Sequence, residues 1–437
     1  MSPKILVCTV ESWNSKVGAN TFSSLLANYP AENLANIYIR EELPDSHVCS
    51  RYFQISESKV IKSIFKPATK TGREVVACQQ MTEDDEATLA NSQKLYNKNR
   101  KKRSVAKLFI REILWKIGKW KTPELNAVLD SFQPDIVVFG MEGYIHFNRI
   151  CRYVIKRTGA KAVGYFLDDT FTYKQIFSSK AGVFYRYLMR KSLKKLAADC
   201  SAFWAITSKT KQEADAFFGV NCQVITKPID YDPGEEWRPY TPKDPIQMLY
   251  TGNLLIGRFQ AIRAISKAME KINADEVKIE MDIYSASYIP PEEVDLLSKQ
   301  VHIKGVIPQD QVLKLQNEAD ILVFAEAIEG KHSQDARLSF STKLTDYFRC
   351  GKCILAVGHK NTAPMEYLVA ERAALCASNE EEIYEQLKVI TETPERICRI
   401  AENAYQCGRE NHSRKSIQTR IDITFEKILR GSKNVII

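Results

Sequence analysis

Short, unbroken apolar runs separated by helical spacers recur twice along the 437 residues, on either side of a proline-rich break. KILVCTV (4–10), DIVVFG (135–140), AVGYFL (162–167) and FWAITS (203–208) stand in the first half. IQMLYTG, KIEMDIYSA, VHIKGVI, DILVFAE and KCILAVG follow in the second. A strand that is apolar on every residue must be covered on both faces, which indicates parallel strands packed between helices. NIYIR (36–40), CQVITKP and residues 374–377 offer shorter strands. The break, IDYDPGEEWRPYTPKDP (229–245), holds Pro233, Pro239 and Pro242 before Pro245 and reads as an interdomain linker. The expected fold is α/β, with two Rossmann-like domains facing across a cleft, over residues 1–232 and 246–410. A helical stretch at 416–430 is placed to pack back on the first domain. Residues 70–99 read as polar and irregular, and the loop with Gly18 leads from the first strand into a helix.

MSPKILVCTVESW reads as a first strand, not a signal peptide, and no apolar run is long enough to span a membrane. The eleven cysteines are scattered, and the lone C-x-x-C of Cys350 and Cys353 straddles a helix end and a strand start. Buried packing explains that pair better than redox or zinc chemistry. Free thiols without a leader imply a reducing cytoplasm.

In SFSTKLTDYFRCGKCILAVG (339–358), Ser341 and Thr342 stand where a helix begins. Unpaired N–H groups at a helix start form a ready anion site, and Lys343 adds a full charge. Asp346, three residues on, can share that face. The combination suits a diphosphate on the helix start with ribose hydroxyls on the acid. An N-capped surface helix with a solvated lysine is the plainer alternative.

The segment from Lys94 to Lys121 holds eleven basic residues and one acid, Glu112, against a net charge of +9 for the whole chain. One segment therefore carries the entire excess, which makes it a localised partner-binding feature. Within it, Ala106, Phe109, Ile110, Ile113, Ile117 and Trp120 share one helical face, while Leu108 and Trp115 project elsewhere. One side can bury while the other meets lipid. Lys98, Arg100, Lys101, Lys102, Arg103 and Trp115 are the expected contacts to an anionic membrane and its acceptor. A core-facing helix with solvated lysines is the alternative. No nucleic-acid motif accompanies the patch.

Four blocks in order resemble the GT-B glycosyltransferases, in particular the GT4 family. They are LYTGNLLIGRFQAIRAI, VHIKGVIPQDQVLKLQNEADILVFAE, STKLTDYFRCGKCILAVG and APMEYLVAERAALCAS. The resemblance covers most of residues 246–390. It implies that Gly252 and Asn253 form the turn at the donor phosphates. Arg258 and Lys343 are implied as the basic pair on the leaving diphosphate, Ser341 and Thr342 as phosphate contacts, and Asp346 as the ribose acid in place of the usual glutamate. The family's first glutamate would fall at Leu338, so Glu326, Glu329 or Asp335 is its substitute. In GYFLDDTFTY, Asp168 and Asp169 occupy the strand end where the family places a polar residue beside the donor sugar; turn capping is the alternative. His146 is a weaker candidate.

The resemblance implies a metal-independent enzyme, retaining in outcome. Such an enzyme moves a sugar from a nucleotide-diphosphate donor to a polyprenyl-linked or other saccharide acceptor in cell-surface polysaccharide synthesis. Its place is cytoplasmic, peripheral on the inner face of the plasma membrane, with no nucleic-acid partner. Two rivals stand beside it. A nucleotide-sugar epimerase on the same fold has no use for the basic segment, and a non-catalytic sugar-nucleotide or nucleic-acid binding protein has no turnover.

Overall fold

A computed structural model describes residues 2–14, 21–101, 104–174 and 179–431, with the side chains of 93–101 and Gln309 left aside. The chain forms two compact units, Met1–Ile225 with Gln418–Ile437, and Thr226–Ile417.

The first unit is built on β1 (Ile5–Thr9), β2 (Leu34–Tyr38), β3 (Arg51–Ile55), β4 (Gly72–Val75), β5 (Ile136–Gly140), β6 (Lys161–Phe166), β7 (Ala202–Ala205) and β8 (Gln223–Val224). They run in the order β4-β3-β2-β1-β5-β6-β7-β8. Every pairing is parallel except β3 with β4 at the edge. β1 is buried along its whole length, with Ile5 opposite Leu34 on one side and Ile136 on the other. Helical connections cover both faces, as continuous apolar strands require.

Residues 70–99, expected to be irregular, hold β4 and a helix, Glu83–Lys101. That helix opens on Glu83, Asp84, Asp85 and Glu86, whose charge favours a helix start. It lacks an apolar stripe, so periodicity does not reveal it. The helices Pro123–Phe132 and Lys180–Ala197 also went unread in the sequence.

The helix Arg414–Leu429 carries the chain back into the first unit. There Phe425 packs on Trp204 and Tyr29, and the Tyr29 hydroxyl donates to Asp422 at 2.6 Å.

The second unit restarts the pattern with β9 (Ile246–Thr251), β10 (Ile279–Tyr284), β11 (Val301–Gly305), β12 (Ile321–Ala325), β13 (Cys353–Val357) and β14 (Leu375–Ala377). All are parallel, in the order β11-β10-β9-β12-β13-β14. Residues 229–245, read as a linker, are a strap on this unit. Trp237 Nε1 donates to Gly351 O at 2.9 Å, and the Tyr240 hydroxyl donates to Asp320 O at 2.7 Å. Each ring lies on apolar packing while its polar tip bonds backbone at the amino ends of β12 and β13.

In both sheets the direction of winding reverses once, at β1/β5 and at β9/β12. Ligands of open α/β sheets bind outside the carboxyl ends of the strands at such points.

Candidate functional site

At the β9/β12 switch point three segments converge. The chain leaves β9 through Gly252, whose φ is +136°, a value that L side chains rarely adopt. A Cβ there would stand 1.9 Å from Lys343 Nζ. Absence of a side chain at 252 is thus what lets the lysine lie over the turn, 4.8 Å from the Tyr250 ring centre. The Tyr250 hydroxyl donates to Asn253 O at 2.6 Å and holds the turn.

Arg258 opens the helix Arg258–Ile272. Its guanidinium donates to Asn253 Oδ1 at 2.8 Å and to Glu326 Oε1 at 2.9 Å. Glu326 follows β12, is buried, and donates its own N–H to Val357 O. Of the three substitutes considered for the Leu338 slot, Glu326 is the one beside Arg258. Leu338 itself is fully buried, Glu329 is the N-cap of the helix Gly330–Asp335, and Asp335 lies 3.4 Å from His332.

Lys343 belongs to the first turn of the helix Thr342–Cys350. Ser341 is its N-cap in extended conformation, and its side chain makes no cap hydrogen bond. Ser341 and Thr342 are half-buried at this helix start. Asp346, on the same helix, is half-exposed, and its carboxylate stands 3.4 Å from Lys227 Nζ.

Two cations face one carboxylate here, so the site carries excess positive charge. Burial pulls the Lys343 ammonium down to about 8, Arg258 pushes the same way, and Glu326 offsets part of the shift. A bound dianion opposes both causes and restores the proton. The sign follows. Below about pH 8 the lysine is charged with or without ligand, and above it the free protein has lost a proton that the complex keeps. Binding of a nucleoside diphosphate near pH 9 is therefore expected to take up close to one proton. Affinity is expected to fall about tenfold per unit above pH 8. Calorimetry in buffers of different ionisation enthalpy measures the uptake, and an uptake of zero at pH 9 contradicts the assignment.

The β1/β5 switch point of the first unit is acidic. Glu11 follows β1, Arg40 and Glu42 follow β2, Glu142 follows β5 and Asp168 follows β6. Burial pushes Glu142 up to about 7, with Asp168 and Glu11 adding to the rise and Arg40 opposing it. Burial also lifts Glu42 to about 7, and Glu11 contributes. The sequence reading missed Glu142 and Glu42, although each stands just past an apolar run. Asp168 is exposed at this edge, whereas Asp169 is buried and turned inward. The Asp169 carboxylate accepts the Thr172 N–H at 3.0 Å and the Thr172 hydroxyl at 2.5 Å, the arrangement of a turn cap.

Trp115, expected to face lipid, is instead fully buried. It stacks on the His146 ring at 4.7 Å, and its Nε1 donates to Glu57 at 3.1 Å. Arg111 grips the same Glu57 with two bonds, at 2.5 and 2.7 Å. Burial alone would raise Glu57, yet Arg111 holds it below the usual carboxylate range. Glu112 accepts from the Ile145 N–H and lies 2.8 Å from His146 Nδ1. The inner face of the helix Val105–Ile117 is thus polar and paired, which turns the isoleucines outward. Lys98, Arg100 and Lys101 are described only as helix backbone; Lys102 and Arg103 lie outside the described residues, as does Gly18. No helix among the described residues is long and apolar enough to cross a membrane.

Residues 263–421 match a protein-family model described as Glycosyl transferase-like. No curated protein matches the chain. Among solved structures, HepE of Anabaena in complex with UDP superposes with a TM-score of 0.61 at 13% identity, over 97% of this chain and 100% of that one. Sucrose-phosphate synthase of Thermosynechococcus elongatus gives 0.59 at 10%, over 98% and 99%. A glycosyltransferase of Rickettsia africae gives 0.56 at 13%, over 98% and 100%. The chain has the GT-B fold, two Rossmann-like sheets in tandem, and its second unit carries the glycosyl transferase-like sequence.

Proposed function

We propose that this GT-B chain is a glycosyltransferase that takes a sugar from a nucleoside-diphosphate donor held by the second unit. The observation that carries the reading is the convergence of Arg258, Glu326 and Lys343 over the side-chain-free turn at Gly252. Solved neighbours of the same fold include HepE bound to UDP and to UDP-glucose, in keeping with a uridine nucleotide as the first probe.

The residues divide the work. The first turn of the helix Thr342–Cys350 presents its N–H groups to the diphosphate. Lys343 and Arg258 meet the charge that builds on the leaving diphosphate as the glycosidic bond breaks, which does the neutralising a metal would otherwise supply. Glu326 fixes the Arg258 guanidinium, and Asp346 takes the ribose hydroxyls. Water must be excluded so that the donor is transferred and not hydrolysed.

The acceptor is a lipid-linked saccharide, bound at the acidic switch point of the first unit, where Asp168 and Glu142 can accept from sugar hydroxyls. The enzyme works GT4-like with retention, in the cytoplasm on the inner membrane face, in the synthesis of surface polysaccharide. Thermal-shift screening of nucleoside-diphosphate sugars tests the donor half. One sugar nucleotide is expected to raise the melting temperature of the wild type and leave that of Lys343→Ala unmoved. Absence of a shift with every nucleotide sugar rejects the reading.

A further inference from the structure

The helix Val105–Ile117 leaves an apolar stripe in solvent. Ile110, Ile113 and Ile117 are 55%, 54% and 61% exposed. Their spacing of three and four residues puts them side by side on one face. Phe109 extends the patch, since it stacks at 6.1 Å on Phe184 of the helix Lys180–Ala197. Phe184 is itself 55% exposed and stacks on the exposed Tyr187. The opposite face of the first helix is already taken by Glu57 and His146, so the stripe is not the side that docks on the fold.

Cations border this stripe. Past Ile117 the surface opens into a hollow of about 460 Å³, lined by nine residues of which six are basic and none acidic. Arg152 is paired with Asp199 at 2.5 Å, and Arg149 lies 3.9 Å from Glu112. The four lysines, Lys116, Lys119, Lys121 and Lys156, pair with no carboxylate among the described residues.

We infer that this face, the isoleucine stripe with its lysine hollow, docks the protein on a lipid bilayer rich in anionic headgroups. The isoleucines sink into the headgroup boundary while the lysines hold phosphates beside it. Charge complementarity and side-chain chemistry select this occupant. Single-stranded nucleic acid gains from stacking on aromatics, whereas the stripe itself is three aliphatic isoleucines, and the exposed rings of Phe184 and Tyr187 already stack on each other. A two-fold dimer through the face would set the lysines of both copies against each other. The inference rests on the proposed function only in that a lipid-linked acceptor gives docking a purpose. It moves the membrane contact from Trp115 to the isoleucines and lysines around it.

Flotation of the full chain with vesicles of phosphatidylcholine, alone or doped with phosphatidylglycerol, tests it. Wild-type protein is expected to float with the doped vesicles only. The triple variant Lys116→Gln, Lys121→Gln, Lys156→Gln is expected to lose about a hundredfold in partitioning. The triple variant Ile110→Ser, Ile113→Ser, Ile117→Ser is expected to lose at least about tenfold. Both substitute exposed positions, and an unchanged melting temperature verifies their fold. Equal flotation of wild type and both variants overturns the inference. So does binding of inorganic phosphate or an oligonucleotide without vesicle binding, or a dimer that the isoleucine variant dissolves. UDP binding measured on the wild-type protein separates the two proposals: UDP binding without flotation on the doped vesicles sinks the docking face alone, and flotation without UDP binding sinks the donor site alone.

Discussion

Replacing Lys343 by alanine is expected to cut sugar-transfer turnover by about two to three orders of magnitude, or about 2–4 kcal/mol of transition-state stabilisation. The ammonium is half-buried over the donor turn, where its field is weakly screened and where Arg258 and Glu326 are its charged neighbours. Arg258→Ala is expected to act in the same direction and also to release Glu326, leaving a buried carboxylate without its cation. Gly252→Ala gives a companion test that keeps both charges. Its Cβ would occupy the place of Lys343 Nζ, so the flexible lysine must swing away. Diphosphate affinity then drops, and the φ of +136° adds strain of about 1–3 kcal/mol to the fold. Steady-state kinetics with thermal melts on the three variants separate loss of chemistry from loss of structure. Near-normal turnover in Lys343→Ala would leave the proposed site without its principal cation.

Trp115→Ala is expected to destabilise the first unit by about 3–5 kcal/mol, the range for deleting a buried aromatic side chain. The ring is fully buried against His146, and its N–H is one of the bonds that satisfy Glu57. Glu57 would lose that donor while Arg111 stays in place, so the loss is mostly cavity and stacking. Denaturant titration measures it. A surface, lipid-facing tryptophan would instead show unchanged stability with weakened vesicle binding.

The tryptophan illustrates where sequence reasoning stopped. One helix carries two apolar arcs, and periodicity alone does not tell which arc meets the core. The buried arc holds Arg111 and Glu112, charges that look solvent-facing until Glu57 and His146 arrive from elsewhere in the chain. The two sheets were legible because strands buried on both faces write themselves as unbroken apolar runs, such as ILVCT and CILAV. The helix Glu83–Lys101 was not, because its sequence, EDDEATLANSQKLYNKNRK, carries no apolar stripe. At the candidate donor site, Lys343 could be named from its place at a helix start and Gly252 and Arg258 from the family resemblance, and their mutual approach is a property of the fold. Glu326 could be reached only as one of three alternatives, since its partner Arg258 is 68 residues away in sequence. Glu142 and Glu42 each feel the charges of Glu11 and Arg40, groups that follow three different strands, a relation that no local window contains.

The most direct test of the central claim is a transfer assay with labelled nucleotide sugars and lipid extract. Wild-type protein is expected to release nucleoside diphosphate and to move the label into a lipid-extractable saccharide, without added metal, while Lys343→Ala does both at least about a hundredfold more slowly. Release of nucleoside diphosphate in equal amounts from wild type and Lys343→Ala, or no release by either with any sugar nucleotide, would contradict the account.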